Sequence, residues 1–300
     1  MTKIISWQEF EYMDEAVKQA TLAAVGEAVG QETAVFQYTT DMLSYHNQLG
    51  SLIHLLQTAH TSLKAVKTAS EWQLQTVTAL LLDALIFHYL ESDPADSATA
   101  PPDLLAALQA IVPVEAEALN RYLAHLAGYT QYQWELEHLA EHSPQNVAAL
   151  MLEFLAFAKK EAGVAYGRSH LIRQLLPTYF VERRTGQLNP RQDLGDLMRQ
   201  GRPIIRPKPN PHPLAPDSDT LPRFLAKLLN YEAVRPYPAA ALYTLLPTWL
   251  RFLQARALLT PAEASATLDD LASLQGDLHT FFSNLAGDDE LATAVAQWPL

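Results

Sequence analysis

The sequence predicts an all-α protein: an elongated helical bundle built on one long heptad-patterned helix, followed by a small C-terminal helical domain. Three observations carry this prediction. Val35, Tyr38, Met42, Tyr45, Leu49, Leu52, Leu56, Ala59, Leu63 and Val66 succeed one another in alternating steps of three and four, the spacing of an apolar helix seam. Seven prolines fall between Pro203 and Pro222, a density that no helix survives. Strand-like runs are confined to Tyr179-Phe180-Val181 and Ile204-Ile205, expected as a minor hairpin.

The seam implies a single helix from Glu32 to Lys67, on the order of 50 Å long at about 1.5 Å per residue. Gly50 is the expected site of a bend or close contact, because glycine costs a helix roughly 1 kcal/mol relative to alanine. Phe10, Met13, Val17, Ala20 and Ala24 repeat the spacing before it, and Leu74, Val77, Leu81 and Ala84 repeat it afterwards. Three antiparallel helices satisfy the three stripes. After the loop Asp93–Asp103, shorter helices are expected over 103–111, 114–127 and 129–142. Ser143-Pro144 places a cap residue before proline and opens the apolar helix Val147–Ala158. Gly163 and Gly167 interrupt it. Residues 201–217 form a Pro-rich connector between the bundle (1–200) and the C-terminal domain (218–300), where helices are expected over 220–231, 239–258 and 261–285. Thr260-Pro261-Ala262-Glu263 is a capping box with proline in the first turn.

Of 300 residues, 49% are hydrophobic and 18% charged, enough apolar content for a sizeable core. The chain has no cysteine, so disulfides, thiolate metal sites and cysteine nucleophiles are excluded. Glu9, Glu11, Asp14 and Glu15 arrive before an apolar leader develops, which argues against a secretory signal and for a cytoplasmic protein. The most apolar run, Val77–Leu90, is too short to span a bilayer. Charge is divided unevenly. Residues 1–158 carry 5 bases against 19 acids, 159–208 carry 11 against 4, and 209–300 carry 5 against 10. The net charge of −12 disfavours nucleic acid and anionic membranes as partners.

The basic island contains Arg168, Arg173, Arg183, Arg184, Arg191, Arg199, Arg202 and Arg206. Guanidinium groups make bidentate contacts with carboxylates and phosphates. The island therefore predicts contact with an acidic surface on a protein partner or on a second copy, with internal pairing and phosphate or nucleic-acid binding as competing uses. Glu135, His138 and His142 lie within roughly a 60° sector of the expected 129–142 helix, a possible metal-binding face that also reads as a solvated polar face. Asp83 and His88 interrupt an apolar helix and are expected to hydrogen-bond neighbouring helices. His46 and His60 lie some 20 Å apart along the seam and cannot share a metal. No phosphate loop, nucleophile elbow, dinucleotide fingerprint or EF-hand pattern occurs. The function expected is interaction without catalysis or cofactor, against a metal-dependent helical enzyme as the competing class.

Overall fold

The computed structural model describes residues 4–66, 70–129, 132–140, 144–188, 212–230, 235–285 and 287–299, without the side chains at 138, 140 and 144. Among the described residues every regular element is helical: α1 (Trp7–Glu11), α2 (Glu15–Glu27), α3 (Thr33–Tyr45), α4 (Leu49–Ala65), α5 (Glu71–Glu91), α6 (Pro102–Gln109), α7 (Ala116–Leu126), α8 (Leu136–Ala140), α9 (Pro144–Ala162), α10 (Tyr166–Arg184), α11 (Leu221–Leu228), α12 (Pro236–Thr244), α13 (Leu246–Ala255), α14 (Pro261–Leu271), α15 (Leu274–Ser283) and α16 (Asp289–Ala296). No described helix is long and apolar enough to cross a membrane.

The heptad stretch is two helices, not one. Asn47 adopts the left-handed region at φ 52°, and the amides of Asn47 and Gln48 donate back to the carbonyls of Ser44 and Leu43. That pattern is a Schellman motif with asparagine in the position glycine usually fills. Gly50, the expected bend, sits in the first turn of α4 instead. The seam survives the break: Met42, Tyr45, Leu49, Leu52, Leu56, Ala59 and Leu63 are all buried in the chain's own core, whereas Val66 is half exposed. Each fully buried leucine contributes roughly 1.5–3 kcal/mol, which is why the pattern outlasts the backbone turn.

α4 packs between α2 and α5, and α10 packs against α3, α5, α9 and α12. The run Tyr179-Phe180-Val181, expected as a strand, lies inside α10; its partner run Ile204-Ile205 lies outside the described residues. Tyr179 and Phe180 are both buried, so neighbouring helices set their conformation and override strand propensity. Gly167 lets α10 approach α3, since a Cβ there would stand 2.5 Å from the Ser44 carbonyl oxygen. Gly163, at φ 64°, ends the preceding helix.

The C-terminal helices join the same buried apolar cluster as the N-terminal ones. α12 is buried on every side from Pro236 to Tyr243, the signature of a core helix. α13 lays Trp249 and Phe252 against Phe154 of α9, with ring centroids 5.3 and 5.7 Å apart. The expected 239–258 helix divides between α12 and α13, where Pro247 takes an early position in the second helix and removes an amide from the ladder. The expected 261–285 helix divides into α14 and α15. The capping box at its start is formed, with Thr260 N–H donating to Glu263 Oε2 at 2.9 Å and Glu263 N–H to Thr260 Oγ1 at 3.3 Å.

Alanine substitution at two glycines separates these effects in chemical denaturation. Gly167→Ala is expected to destabilise by about 1–3 kcal/mol through overpacking against the Ser44 carbonyl. Gly50→Ala, where a Cβ meets nothing within 4 Å, is expected to stabilise by about 0.5 kcal/mol.

Candidate interaction surface

Three of the described arginines of the basic island, Arg168, Arg173 and Arg183, turn inward, whereas Arg184 is exposed. Arg168 stacks on the buried Tyr45 ring at 4.1 Å, and its Nε donates to the Tyr45 carbonyl at 3.2 Å. Burial pushes the Tyr45 hydroxyl up to about 12, with Arg168 opposing. Arg173 reaches Asp83 at 3.3 Å and the Tyr122 hydroxyl at 3.0 Å, while that hydroxyl donates to Asp83 at 2.8 Å. Arg183 donates to the carbonyls of His212, Pro213 and Ala215 and pairs with Asp217 at 3.3 Å. This contact fixes the end of the Pro-rich stretch against α10. Arg184 follows as the last residue of α10. Arg191, Arg199, Arg202 and Arg206 lie outside the described residues.

Asp83 bonds α7 and α10 rather than approaching His88, which is exposed. Its third neighbour is His170. Gln174 Nε2 lies 2.9 Å from His170 Nε2, so that nitrogen accepts and the ring proton sits on Nδ1, 3.9 Å from Asp83 Oδ2. Burial pulls the His170 imidazole down to about 4; Asp83 opposes that shift and Arg173 adds to it. The cavity that Asp83 and His170 line measures only ≈ 10 Å³, about the room of one water molecule. It offers no substrate pocket.

His46 has both ring nitrogens beside carboxylates, Asp288 at 2.7 Å and Glu290 at 3.3 Å, and its ring stacks on Trp7 at 3.8 Å. His60 lies elsewhere along α4, as the spacing requires. A cleft of ≈ 460 Å³ opens between α2 and the start of α4, lined by Glu15, Gln19, Asn47, Ser51, His88 and Glu91. Three of these groups are already engaged. Gln19 donates to Glu15 at 2.7 Å, and Glu91 receives Lys159 at 2.6 Å and the Tyr166 amide at 2.7 Å.

The expected 129–142 helix is the largest local correction. Helix begins only at Leu136, so Glu135 precedes it and does not share a helical face with His138 in the way the spacing implied. The His138 side chain and His142 lie outside the described residues. Among the described residues no group of three His, Asp or Glu side chains is placed to hold a metal ion.

The side chain that holds residues 132–134 is Glu153. It is the one charged residue within the apolar run Val147–Ala158 and is 1% exposed. Its Oε1 accepts the Tyr132 amide at 2.9 Å and the Trp134 indole N–H at 3.2 Å, and its Oε2 accepts Arg256 Nε at 2.8 Å. A buried carboxylate needs several donors, and the Tyr132 amide is one that an uninterrupted helix would give to a backbone carbonyl instead. The rings carried on the pinned backbone face out: Tyr129 is 68% exposed and Tyr132 45%. Tyr132 rests on His125, ring centroids 5.3 Å apart, with its hydroxyl 3.1 Å from His125 Nε2. Sequence reasoning missed these candidate contact residues. The available signals were three aromatics within six residues and a lone acid inside an apolar helix.

Two outcomes test these assignments. Glu153→Gln leaves Arg256 without its counter-ion and is expected to lower stability by about 3–5 kcal/mol. The ring resonances of His170 are expected to titrate near pH 4. Its proton uptake thus favours the unfolded chain as pH falls from about 6.5 towards 4, and the stability it contributes is complete above that window. A His170 midpoint near 6.5 contradicts this. No family model, characterised protein or solved structure matches this chain.

Proposed function

We propose that the chain is a non-catalytic helical interaction protein that engages a protein partner or another copy of itself, with the basic island meeting an acidic surface. The observation that carries this reading is the loop around Tyr132. Its backbone is tied to a buried carboxylate while its tyrosine rings stand in solvent. Fixed, exposed aromatics lose little conformational entropy on association, and tyrosine and tryptophan are the side chains that most often dominate interface energetics. Arg168, Arg173 and Arg183 spend their guanidinium groups on the chain's own rings, carbonyls and carboxylates. The island's contact with a partner is assigned to its remaining arginines, Arg184, Arg191, Arg199, Arg202 and Arg206.

Sedimentation velocity at low and high ionic strength tests the reading. Association is expected to weaken steeply as the screening length falls from about 30 Å at 0.01 M to about 3 Å at 1 M. It is also expected to be lost in R199E/R202E/R206E. Association unmoved by both changes contradicts a charge-driven interface. Reversing Arg183 is unsuitable for this purpose, because its contacts hold residues 212–217 in place.

A further inference from the structure

We propose that His46 is a proton-operated clasp: as the imidazolium it fastens the first turn of α16 to α1 and α3, and loss of its proton loosens that turn. The clasp needs no partner.

Both ring nitrogens of His46 face carboxylates. Nε2 lies 2.7 Å from Asp288 Oδ2, and Nδ1 lies 3.3 Å from Glu290 Oε2. A neutral imidazole carries one N–H and sets a bare lone pair against the second acid, whereas the imidazolium donates to both. Two further features favour the cation. His46 is the C-cap residue of α3, at the negative end of the helix dipole. Its ring lies on the Trp7 indole, with centroids 3.8 Å and planes 5° apart, and a cation gains from an aromatic face. The acid is held in place as well, because Asp288 Oδ1 accepts the Glu290 amide at 3.1 Å and leaves Oδ2 to the ring.

The other groups around the ring divide by charge. Arg168 of α10 stacks on the neighbouring Tyr45 ring at 4.1 Å and opposes a second cation. Glu9 of α1 and Asp289 of α16 add negative charge on the flanks, each already bonded, to the Ser6 amide at 3.1 Å and to Gln8 Nε2 at 3.3 Å. The hydroxyls of Tyr38, Tyr45 and Tyr237 complete the surroundings; burial pushes all three up, so they keep their protons while an imidazole titrates. Histidine changes charge between about pH 5 and 8.

Burial decides which contact yields. The side chains of His46 and Asp288 are each 3% exposed and that of Glu290 is 61% exposed. As pH rises, the remaining proton stays on Nε2 against the buried acid, and Glu290 turns to solvent. The stabilisation is therefore present while His46 is charged and is lost as the proton leaves. α16 keeps its packing on α12 and α15, so the change is confined to its first turn and to the adjoining bond from the Gln8 amide to the Gly287 carbonyl.

NMR of the full chain from about pH 5 to pH 9 tests this. Two-bond proton–nitrogen spectra of the histidine rings show which nitrogens carry protons, and exchange of the Gln8 and Glu290 amides, corrected for its intrinsic pH dependence, reports the clasp. His46 is expected to carry both protons at the acidic end and to lose the one on Nδ1 as pH rises. The two amides are expected to exchange about tenfold faster beyond the same midpoint. Glu290→Gln alters an exposed side chain and offers Nδ1 an uncharged partner in either state, so the change is expected to shrink to about threefold. His46→Gln is expected to abolish it. Four results overturn the proposal: a His46 ring with one proton throughout, amide exchange that ignores the titration, a change undiminished in Glu290→Gln, or one that survives His46→Gln. The parent and Glu290→Gln measurements decide the matter even if His46→Gln fails to fold.

Discussion

The buried carboxylate of Glu153 ties together three parts of the chain that are far apart in sequence. It projects from α9, accepts Arg256 at the end of α13, and accepts the Tyr132 amide and Trp134 indole from the loop before α8. A charge this deeply buried is costly to desolvate, and only its full set of donors makes the site tolerable. The consequence reaches beyond α9. The Tyr132 amide is committed to a side chain instead of a helical carbonyl, and Arg256 draws the end of α13 to α9. Around that ion pair, Phe154, Trp249 and Phe252 supply the apolar contact between the same two helices.

Other long-range ties follow the same rule of a polar group satisfied across the sequence. Arg235, just before α12, makes a two-pronged contact with the buried Asp41 of α3, at 2.8 and 3.0 Å. Burial raises the Asp41 carboxyl and the Arg235 guanidinium opposes that shift. Asp288 holds His46 while its other oxygen accepts the Glu290 amide at the start of α16. The first and last helices meet beside it. The Gln8 amide donates to the Gly287 carbonyl at 3.0 Å, and Gly287 sits at φ 98° where a Cβ would collide with Ser6. Together with α10, which packs against helices from both sides of the Pro-rich stretch, these ties place the C-terminal helices in one core with the N-terminal ones.

The parts of this fold that were legible in the sequence are those set by local chemistry. The Thr260–Glu263 capping box, the helix opening at Pro144 and the apolar seam from Met42 to Leu63 all follow from spacing and side-chain type within a few residues. What escaped was decided from a distance. The heptad pattern crosses the α3–α4 turn unbroken because the seam faces the core on both sides of it, so periodicity conceals the left-handed Asn47. Tyr179 and Phe180 look like a strand by composition and are helical because α10 is wrapped by other helices. Residues 132–135 have helical spacing, yet the Tyr132 amide goes to Glu153, some twenty positions away, which no local pattern announces. Of the candidate metal face only Glu135 has a described side chain, and it lies before α8. The arginine island was visible as charge, yet the inward turn of Arg168, Arg173 and Arg183 depends on Tyr45, Asp83 and the 212–217 carbonyls, none of which is near them in sequence.

In the proposed interaction role, the ordering of the Tyr132 loop is borne by folding and is not repeated at each encounter. That account depends on the loop being held while its rings are bare. Amide and indole hydrogen exchange, resolved residue by residue by NMR, measures it directly. The Tyr132 amide and the Trp134 indole N–H are predicted to exchange as slowly as the amides of α9, since both are bonded to a carboxylate that only larger unfolding exposes. Exchange of these two protons at the rate of an unstructured peptide would contradict the account.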